Sequence, residues 1–386
     1  MFSVVPTPEI GVPTLNGDLE QRTATRLSQV VRSLVGPKVG CYGHLVSRLL
    51  KAAISGVLFS ALLGAGCDDP EPAGTPAPEG PWEVAVEADA SVGAFLSVWG
   101  PAPNEVWAVG GQVANVTDAG AGAIYRRDAG GWSAAAVPEG TPLLNWVHGT
   151  GDEVWAVGNA GAALRYDGSA WQVSETGIDV PLWGVYVFGP NEVWAVGGNA
   201  FERDVPGIII RYDGSSWSET PLPELDRDSA AIFKIFGFSP NDIHAVGASG
   251  VILHYDGSAW TQQASGTAND MISLWGSGPD DIVAVGGRAL GTVSRYDGST
   301  WTTEDIGTLA GLNGVWVDPE GRASIVGNNG AAAVIFSDYE AESEDSMAGF
   351  NVLHAVYGFT DGTRIAVGGT LNSNPPYTGL IIENAP

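Results

Sequence analysis

Two acidic segments carry side chains that could do acid–base chemistry. They are residues 224–228 (Glu-Leu-Asp-Arg-Asp) and 339–345 (Tyr-Glu-Ala-Glu-Ser-Glu-Asp). Glycoside hydrolysis needs a pair of carboxyl groups, one to protonate the leaving group and one to act as base or nucleophile. A chain with 44 acidic residues contains such pairs by chance. We therefore predict no catalytic residue from them.

The sequence lacks the motifs of known metal and nucleophile sites. No phosphate-binding loop, serine-hydrolase elbow or zinc motif is present. The two cysteines, Cys41 and Cys67, lie outside the repeats described below, so neither a disulfide nor a cysteine-ligated zinc ion is expected to stabilise the repeats. A histidine metal site is not expected either, because the histidines of the repeat region are scattered along the chain. They are His148, His244, His254 and His354.

A lipoprotein signal is predicted around Cys67. Arg48 and Lys51 precede a mostly apolar run, residues 52–66, which ends in small residues directly before the cysteine. Such a run is too short to span a bilayer comfortably but fits a signal peptide. We predict lipidation of Cys67 and export to the cell envelope, at the outer membrane or the cell surface. An ordinary secretory signal and a short buried helix are the alternatives.

The predicted signal divides the chain into four parts. Residues 1–45 are expected to be a non-native or disordered extension, and residues 46–66 are the signal peptide. Residues 67–80, rich in Pro, Gly, Ala and acidic residues, form a flexible linker. Residues 81–386 contain the repeats and form a single folded domain.

The net charge of −27 limits the classes of partner. A surface this acidic repels phosphate backbones, which excludes nucleic acid. Acidic groups could recruit Ca²⁺ or basic partners, although the same groups also keep a protein soluble. We expect no other cofactor, a monomeric protein, and contact with the membrane through the lipid anchor only.

A repeated sequence motif determines the predicted architecture. Its clearest copy reads Glu-Val-Trp-Ala-Val-Gly at 153–158, then a glycine loop, then Leu-Arg-Tyr-Asp-Gly-Ser-Ala-Trp at 164–171. Copies recur at intervals of roughly 40–50 residues, which is typical of propeller blades. The closing glycines of the seven copies are Gly110, Gly158, Gly197, Gly247, Gly286, Gly327 and Gly368.

Each repeat is predicted to form four short strands, a to d. In the second repeat these lie near 144–147, at 154–157, at 162–166 and around Trp171, with a tight Asp-Gly turn before strand d. Bulky residues align in two columns that we expect in the core between blades. The strand a column is Trp99, Val147, Tyr186, Phe236, Trp275, Trp316 and Tyr357. The strand b column is Trp107, Trp155, Trp194, His244, Val283, Ser324 and Ile365.

The ends of the repeat region indicate how the ring closes. The seventh repeat stops near Ile382 without a strand d, whereas residues 81–84 (Pro-Trp-Glu-Val) resemble a strand d that lacks its repeat. Pairing the two ends removes an exposed sheet edge. We predict an all-β fold, a seven-bladed β-propeller of four-stranded antiparallel blades closed by the N-terminal strand. Six or eight blades are the alternatives, because the sixth repeat is degenerate.

The repeat resembles that of bacterial secreted and lipoprotein propellers, and is similar to two-component-regulator propeller repeats and Asp-box (sialidase-type) repeats. The resemblance rests on Val-Trp-Ala-Val-Gly followed by Arg-Tyr-Asp-Gly-x-x-Trp. It implies the fold more than a function, since an Asp-box has a further residue between its Asp and Gly. Sialidase-like chemistry would need arginines that converge on one substrate. Here Arg165, Arg211 and Arg295 occupy one repeated position in separate blades.

The candidate binding site lies on what we call the first face, the end where the d-to-a and b-to-c connections are expected to gather. At the opposite end, the second face, the turns of successive repeats use the same residue types. These residues are better explained as turn formers than as a ring that binds cations. The long loops 111–122, 198–207 and 369–379 differ between repeats, so a function could be added there, although tolerated insertions would look the same. With the segment 224–228 they supply the candidates Asn115, Asp118, Phe201, Glu202, Arg203, Asp204, Asp226, Arg227, Asn372 and Tyr377.

The leading functional hypothesis is a lipid-anchored, non-enzymatic binding module for a protein or glycan of the envelope. The alternatives are a carbohydrate-active enzyme, such as a sialidase-like hydrolase or a lyase, and an assembly factor for an envelope complex.

Overall fold

The structure, a computed structural model, describes residues 81–113, 119–200, 207–226 and 231–385. These residues form 28 strands, numbered β1 to β28 in chain order, and three 3₁₀ turns at Asn159–Gly161, Ala248–Gly250 and Asn328–Gly330. Within this part of the chain, no helix is long and apolar enough to cross a membrane. The boundaries predicted for the extension, signal and linker fall on residues 1–80, outside the described residues.

The strands form seven four-stranded antiparallel sheets, which are the blades. Blade one is β2 (Ala94–Ala102), β3 (Glu105–Gln112), β4 (Ala121–Asp128) and β5 (Gly131–Ala135). Blade two is β6 (Leu144–Thr150), β7 (Glu153–Gly158), β8 (Ala163–Tyr166) and β9 (Trp171–Val173). Blade three is β10 (Leu182–Gly189), β11 (Glu192–Gly197), β12 (Ile208–Tyr212) and β13 (Trp217–Glu219). Blade four is β14 (Ile232–Ser239), β15 (Asp242–Gly247), β16 (Ile252–Tyr255) and β17 (Trp260–Gln263).

The remaining blades complete the ring. Blade five is β18 (Met271–Gly278), β19 (Asp281–Gly286), β20 (Leu290–Tyr296) and β21 (Trp301–Ala310). Blade six is β22 (Leu312–Val317), β23 (Ala323–Gly327), β24 (Ala332–Ile335) and β25 (Ala341–Ser343). Blade seven is β26 (Val352–Gly358), β27 (Arg364–Gly369), β28 (Gly379–Asn384) and β1 (Trp82–Ala88). Neighbouring a strands contact one another around the ring, including β26 with β2, so they surround the central axis.

The predicted fold class is confirmed, including the closure. Strand β1 pairs antiparallel with β28, with Trp82 opposite Asn384, and supplies the fourth strand of blade seven. Both chain ends of the propeller are thereby held in one sheet, which leaves no unpaired edge at the seam.

The repeated glycine at the end of strand b is explained by close packing within each blade. A Cβ atom at Gly158 would collide with the carbonyl oxygen of Leu143, the residue before strand a, and one at Gly197 would collide with that of Pro181. The equivalent glycines of the other five blades face the same obstacle. Any side chain would therefore push strands a and b apart where they leave the first face.

The strand b column is confirmed by the register, but the strand a column contains one error. In blade two, Trp155 pairs with His148, whereas Val147 pairs with Ala156. The predicted member Val147 is therefore replaced by His148, which stacks on Tyr186 with ring centroids 4.1 Å apart. The error arose because blades one, three, four and five have a second bulge beside the a–b turn that blade two lacks, so alignment on the turn placed the column one residue early in blade two.

The Asp-Gly turns are confirmed as turn formers. In blade two, Asp167 Oδ1 accepts backbone N–H groups of Ser169 and Ala170, both at 2.8 Å, while Gly168 has a φ of 90°. These hydrogen bonds lower the pKa of Asp167 to about 2. The same geometry and the same lowered pKa recur at Asp213, Asp256 and Asp297.

Candidate functional site

Aromatic rings fill the second-face end of the central axis. His148 lies 5.6 Å from Trp99 and 6.2 Å from Trp275, which belongs to a blade on the far side of the axis. Trp275 also meets Tyr357 edge-on at 5.6 Å. Burial lowers the pKa of His148 to about 3 and raises that of Tyr357 to about 12. This end is therefore an uncharged aromatic plug.

Every innermost strand carries a bulge near the first face. In each blade one residue is skipped in the pairing between strands a and b. Bulges re-aim side chains and are common beside binding sites. Three bulge residues bond across to the next blade: Asn145 donates to the carbonyl of Leu182, Asn313 to that of Leu353, and His354 Nδ1 to that of Leu96. The bulge residues are Leu96, Asn145, Trp183, Phe233, Ile272, Asn313 and His354.

Lys234 follows one of these bulges and is buried near the axis. Its side chain crosses from blade four to blade two, where Nζ lies 3.2 Å from the ring centroid of Trp146. The residue is 3% exposed, and Nζ is 3.4 Å from the carbonyl oxygen of Trp183. Burial lowers the pKa of Lys234 well below its ordinary value. The equivalent positions of the other blades hold small residues, except for Trp146 itself.

Lys234 differs from the described arginines in that no carboxylate of the described ranges pairs with it. Each of the eight arginines in the described ranges forms an ion pair with an acidic side chain: Arg126, Arg127, Arg165, Arg211, Arg288, Arg295, Arg322 and Arg364. Among those same ranges, no acidic side chain forms an ion pair with Lys234. In a chain of net charge −27, this is the one described cation without an anion.

A rim of aromatic and charged groups surrounds Lys234. Arg288, whose side chain is 67% exposed, bonds Asp270 at 2.9 Å and lies 5.8 Å from the ring of Phe233. Phe233 in turn meets Trp183 edge-on at 6.3 Å. Burial, and then the charge of Lys234, lower the pKa of His354 to about 4. We call Trp146, Trp183, Phe233, Lys234, Arg288 and His354 the first-face mouth.

Three of the predicted binding residues lie in the described ranges. Tyr377 exchanges hydrogen bonds with Gln112 through its backbone N–H and carbonyl, both at 2.9 Å, which joins the long loops of blades seven and one. Asn372 donates to the carbonyl of Phe350, whose side chain is 85% exposed. The backbone N–H of Asp226 donates to Gln262 of blade four.

The other candidates fall outside the described residues. They are Cys67, Asn115, Asp118, Phe201, Glu202, Arg203, Asp204 and Arg227. Their roles stay predictions, as do those of the three that are described.

The second face carries ion pairs, most of them within one blade. Arg165 binds Glu153 at 2.7 Å, and Arg295 lies 3.3 Å from Asp281. Arg211 binds Glu192 in the same manner. A shallow groove between blades one and two is lined by two such pairs and by turn residues. The three arginines therefore support their own blades and do not converge on one point.

One group of side chains could hold a metal ion. Asp242, His244 and His254 form the only such group of three or more potential ligands found within the described ranges. The interpretation of the histidines as scattered is wrong for this pair, because His244 and His254 lie opposite each other on strands b and c. Cross-strand pairing brings together residues ten positions apart.

Neither Lys234 nor the rest of the first-face mouth was predicted as a site from the sequence. A signal was present, because Lys234 is the only lysine of the repeat region and stands where the other blades have mainly serine, glycine or alanine. The contact with Trp146 could not be read from sequence, since the two residues come from different blades.

Comparison with known proteins shows similarity of fold. No family model matches the chain, and no curated protein matches it. The solved structure "YCF48 bound to D1 peptide" is 15% identical with a TM-score of 0.55, covering 79% of this chain and 97% of that one. Virginiamycin B lyase from Staphylococcus aureus, a catalytically inactive variant with quinupristin, is 14% identical with a TM-score of 0.61, covering 79% and 99%. The WD40 propeller domain of Doa1 is 11% identical with a TM-score of 0.57, covering 78% and 96%.

Proposed function

We propose that this propeller is a non-enzymatic interaction module that binds an acidic group of a partner protein at the first-face mouth. The observation that carries the proposal is the buried ammonium of Lys234, which has no carboxylate partner within the described ranges while every described arginine has one. A partner carboxylate at the mouth would supply the missing anion in a site of low dielectric, where charged hydrogen bonds are strong.

The rim fits such a partner. Trp183 provides partly exposed apolar surface against the buried ring of Phe233, and Arg288 provides an exposed guanidinium beside them. Aromatic residues and arginine are enriched at the energetically important positions of protein interfaces. Similarity to the peptide-bound YCF48 structure supports a peptide or protein as the partner. A glycan that carries carboxylates is the second choice.

A capture experiment tests the proposal. The full chain is immobilised and exposed to peptides from a protease digest of a cell-envelope extract, with their carboxyl groups either free or amidated. Lys234→Met removes the ammonium at the mouth, and Arg165→Met removes a guanidinium on the second face as a matched control. We expect specific peptides that are lost on amidation and lost with Lys234→Met, but kept with Arg165→Met. Capture that is equal for all three proteins would contradict the proposal.

An envelope location is also proposed. A lipid on Cys67 would hold the propeller at the membrane by the 67–80 linker, in keeping with the predicted signal. A radiolabelled fatty acid tests this in a bacterial host: we expect label on the wild type and none on Cys67→Ser. A labelled Cys67→Ser variant would contradict the assignment of the lipidation site.

An enzymatic function is the second candidate, since perturbed pKa values are common at active sites. Lys234 and His354 both have lowered pKa values at one mouth, and virginiamycin B lyase shares the fold. Sustained product formation from acidic polysaccharides, abolished by Lys234→Met, would favour a lyase or hydrolase over a binding module.

A further inference from the structure

Blade four departs from the ion-pair pattern of its neighbours at three positions together. In blade two, Glu153 begins strand b and accepts hydrogen bonds from Trp155 Nε1 at 2.7 Å and from Arg165 at 2.9 Å. Blade three repeats this arrangement with Glu192, Trp194 and Arg211. In blade four the same positions hold Asp242, His244 and His254. Relative to blades two and three, blade four therefore has two imidazoles in place of a tryptophan and an arginine.

The three side chains already have the spacing of metal ligands. Asp242 Oδ1 is 2.8 Å from His254 Nε2 and 3.7 Å from His244 Nε2. All three ligand atoms lie within 4.8 Å of one another. A tetrahedral zinc ion, with bonds of about 2.0–2.2 Å, holds neighbouring ligand atoms roughly 3.3 Å apart. Small side-chain rotations would therefore bring them onto one ion.

His244 has unused hydrogen-bonding capacity. Its side chain is 1% exposed, its Nδ1 atom has no hydrogen-bond partner, and its Nε2 atom lies beyond hydrogen-bonding distance of Asp242. A proton on the buried Nδ1 atom leaves the lone pair of the ring on Nε2, the nitrogen that lies nearest Asp242. Its lone pair is available to a metal.

The surroundings fit a bound ion in other respects. His244 is wedged against Tyr296 and Trp301 of blade five and stacks on His254 with centroids 4.4 Å apart, which fixes its orientation. The side chains of Asp242 and His254 are 33% and 25% exposed, so an ion can enter from the second face. Two imidazoles and one carboxylate suit Zn²⁺ and related ions, whereas Ca²⁺ prefers oxygen ligands throughout.

We propose that Asp242 Oδ1, His244 Nε2 and His254 Nε2 bind a divalent transition-metal ion of the Zn²⁺ class. Three protein ligands leave a fourth position open to water on the second face. The site is separate from the first-face mouth, and the two proposals stand on different residues.

Metal titrations on the full chain test the site. Cys41 and Cys67 are replaced by serine so that thiols do not compete, and the protein is stripped with chelator and titrated with Zn²⁺, Co²⁺ or Ca²⁺ alone. Two variants restore the residues of the neighbouring blades: His254→Arg, which places a guanidinium beside Asp242, and His244→Trp. His44→Ala removes an imidazole outside the propeller as a matched control. Circular dichroism and thermal melting establish that each variant is folded.

The expected result is one Zn²⁺ per chain, a visible absorption band with Co²⁺, and no uptake of Ca²⁺ at this site. His254→Arg and His244→Trp should each weaken Zn²⁺ binding by at least about 100-fold, because loss of an outer-shell partner alone costs ~10–100-fold. His44→Ala should bind as the parent does. Failure of the parent to bind Zn²⁺ would overturn the proposal, as would equal binding by a folded His254→Arg variant.

Discussion

The two ends of the central axis use charge in opposite ways. At the second face, guanidinium groups are paired with carboxylates, most of them within their own blades as in Arg165 with Glu153, and an aromatic plug fills the axis. At the first face, Lys234 is buried against Trp146 without a described carboxylate partner. The second face repeats one solution from blade to blade, whereas the first face uses residues that occur once. The difference suggests that repetition marks the scaffold and that departures from it mark places where function is added.

Blade four departs from the repeated pattern on the second face itself. Where blades two and three use Glu, Trp and Arg to tie strands b and c together, blade four has Asp242, His244 and His254. Because the other two blades fold with the Glu, Trp and Arg set, the change to Asp and two histidines is not needed for folding and points to a ligand.

The largest effect is expected from the core between blades. Trp155 is fully buried, donates to Glu153 and meets Trp217 edge-on at 5.4 Å. Trp155→Ala should lower the free energy of unfolding by about 3–5 kcal/mol, because it leaves a cavity and removes the indole hydrogen bond to Glu153. Urea denaturation measures this. Trp183→Ala, at the half-buried first-face mouth, is the control, and an equal loss in both variants would erase the distinction between scaffold and site.

A somewhat smaller effect is expected at the seam. Arg364 is 2% exposed, bonds both oxygens of Glu344 at 2.7 and 3.0 Å, and lies 5.0 Å from the ring of Trp82 on the closing strand. Arg364→Ala should lower the free energy of unfolding by about 3 kcal/mol, since it leaves Glu344 without its cation. The control Arg126→Ala breaks an exposed pair with Glu105 and should cost about 1 kcal/mol or less. Equal urea midpoints for the two variants would contradict the role of the seam.

The first-face lysine should behave in the opposite sense. Lys234→Met replaces a buried amine, which no carboxylate of the described ranges pairs, with an apolar chain of similar length, and such replacements are often neutral or stabilising. We expect the free energy of unfolding to stay within about 1 kcal/mol of wild type or to rise, while capture of acidic peptides is lost. A loss of more than about 2 kcal/mol in thermal or urea unfolding would identify Lys234 as a scaffold residue.

The smallest effect concerns the repeated turns and depends on pH. The pKa values of Asp167, Asp213, Asp256 and Asp297 are each lowered to about 2 by hydrogen bonds from backbone and serine or threonine donors. Because the folded pKa lies below the unfolded value, these carboxylates stabilise the fold above pH ~4, and that contribution is lost as the pH falls towards about 2.

Asparagine replacements isolate the charge of these turns, since asparagine keeps a hydrogen-bond acceptor. The variant with all four aspartates changed to asparagine should melt below wild type at about pH 6, and the difference should shrink at about pH 2.5. A difference in melting temperature that is independent of pH would show that the carboxylate charge has no role.

Much of the fold could be predicted from the sequence because the repeat constrains it. The Ala-Val-Gly element, the Asp-Gly turns and the strand-forming ends at Trp82 and Ile382 indicated the blade count and the closure, and the structure confirms them. The lack of a bulge beside the a–b turn of blade two could not be predicted, since it depends on local pairing geometry, and it places the ring position at His148 in place of Val147.

The candidate site was harder to predict than the fold. Loop length drew attention to Asn372 and Tyr377, whose described contacts are with neighbouring loops. Lys234, Trp146 and Arg288 meet only after blades from distant parts of the chain are arranged around one axis. Cross-strand pairing likewise joins His244 to His254. Contacts of this kind depend on the closed ring and leave no spacing in the sequence.

The central claim, that the first-face mouth binds an acidic partner through Lys234, can be tested by lysine NMR. The chain has three lysines, Lys38, Lys51 and Lys234, so selective labelling gives a simple spectrum that Lys234→Met assigns. Captured envelope peptides are then added with free or amidated carboxyl groups. We predict that the Lys234 side-chain resonance shifts with the free peptides only, while those of Lys38 and Lys51 do not move. Binding of the peptides with an unchanged Lys234 resonance would contradict the account.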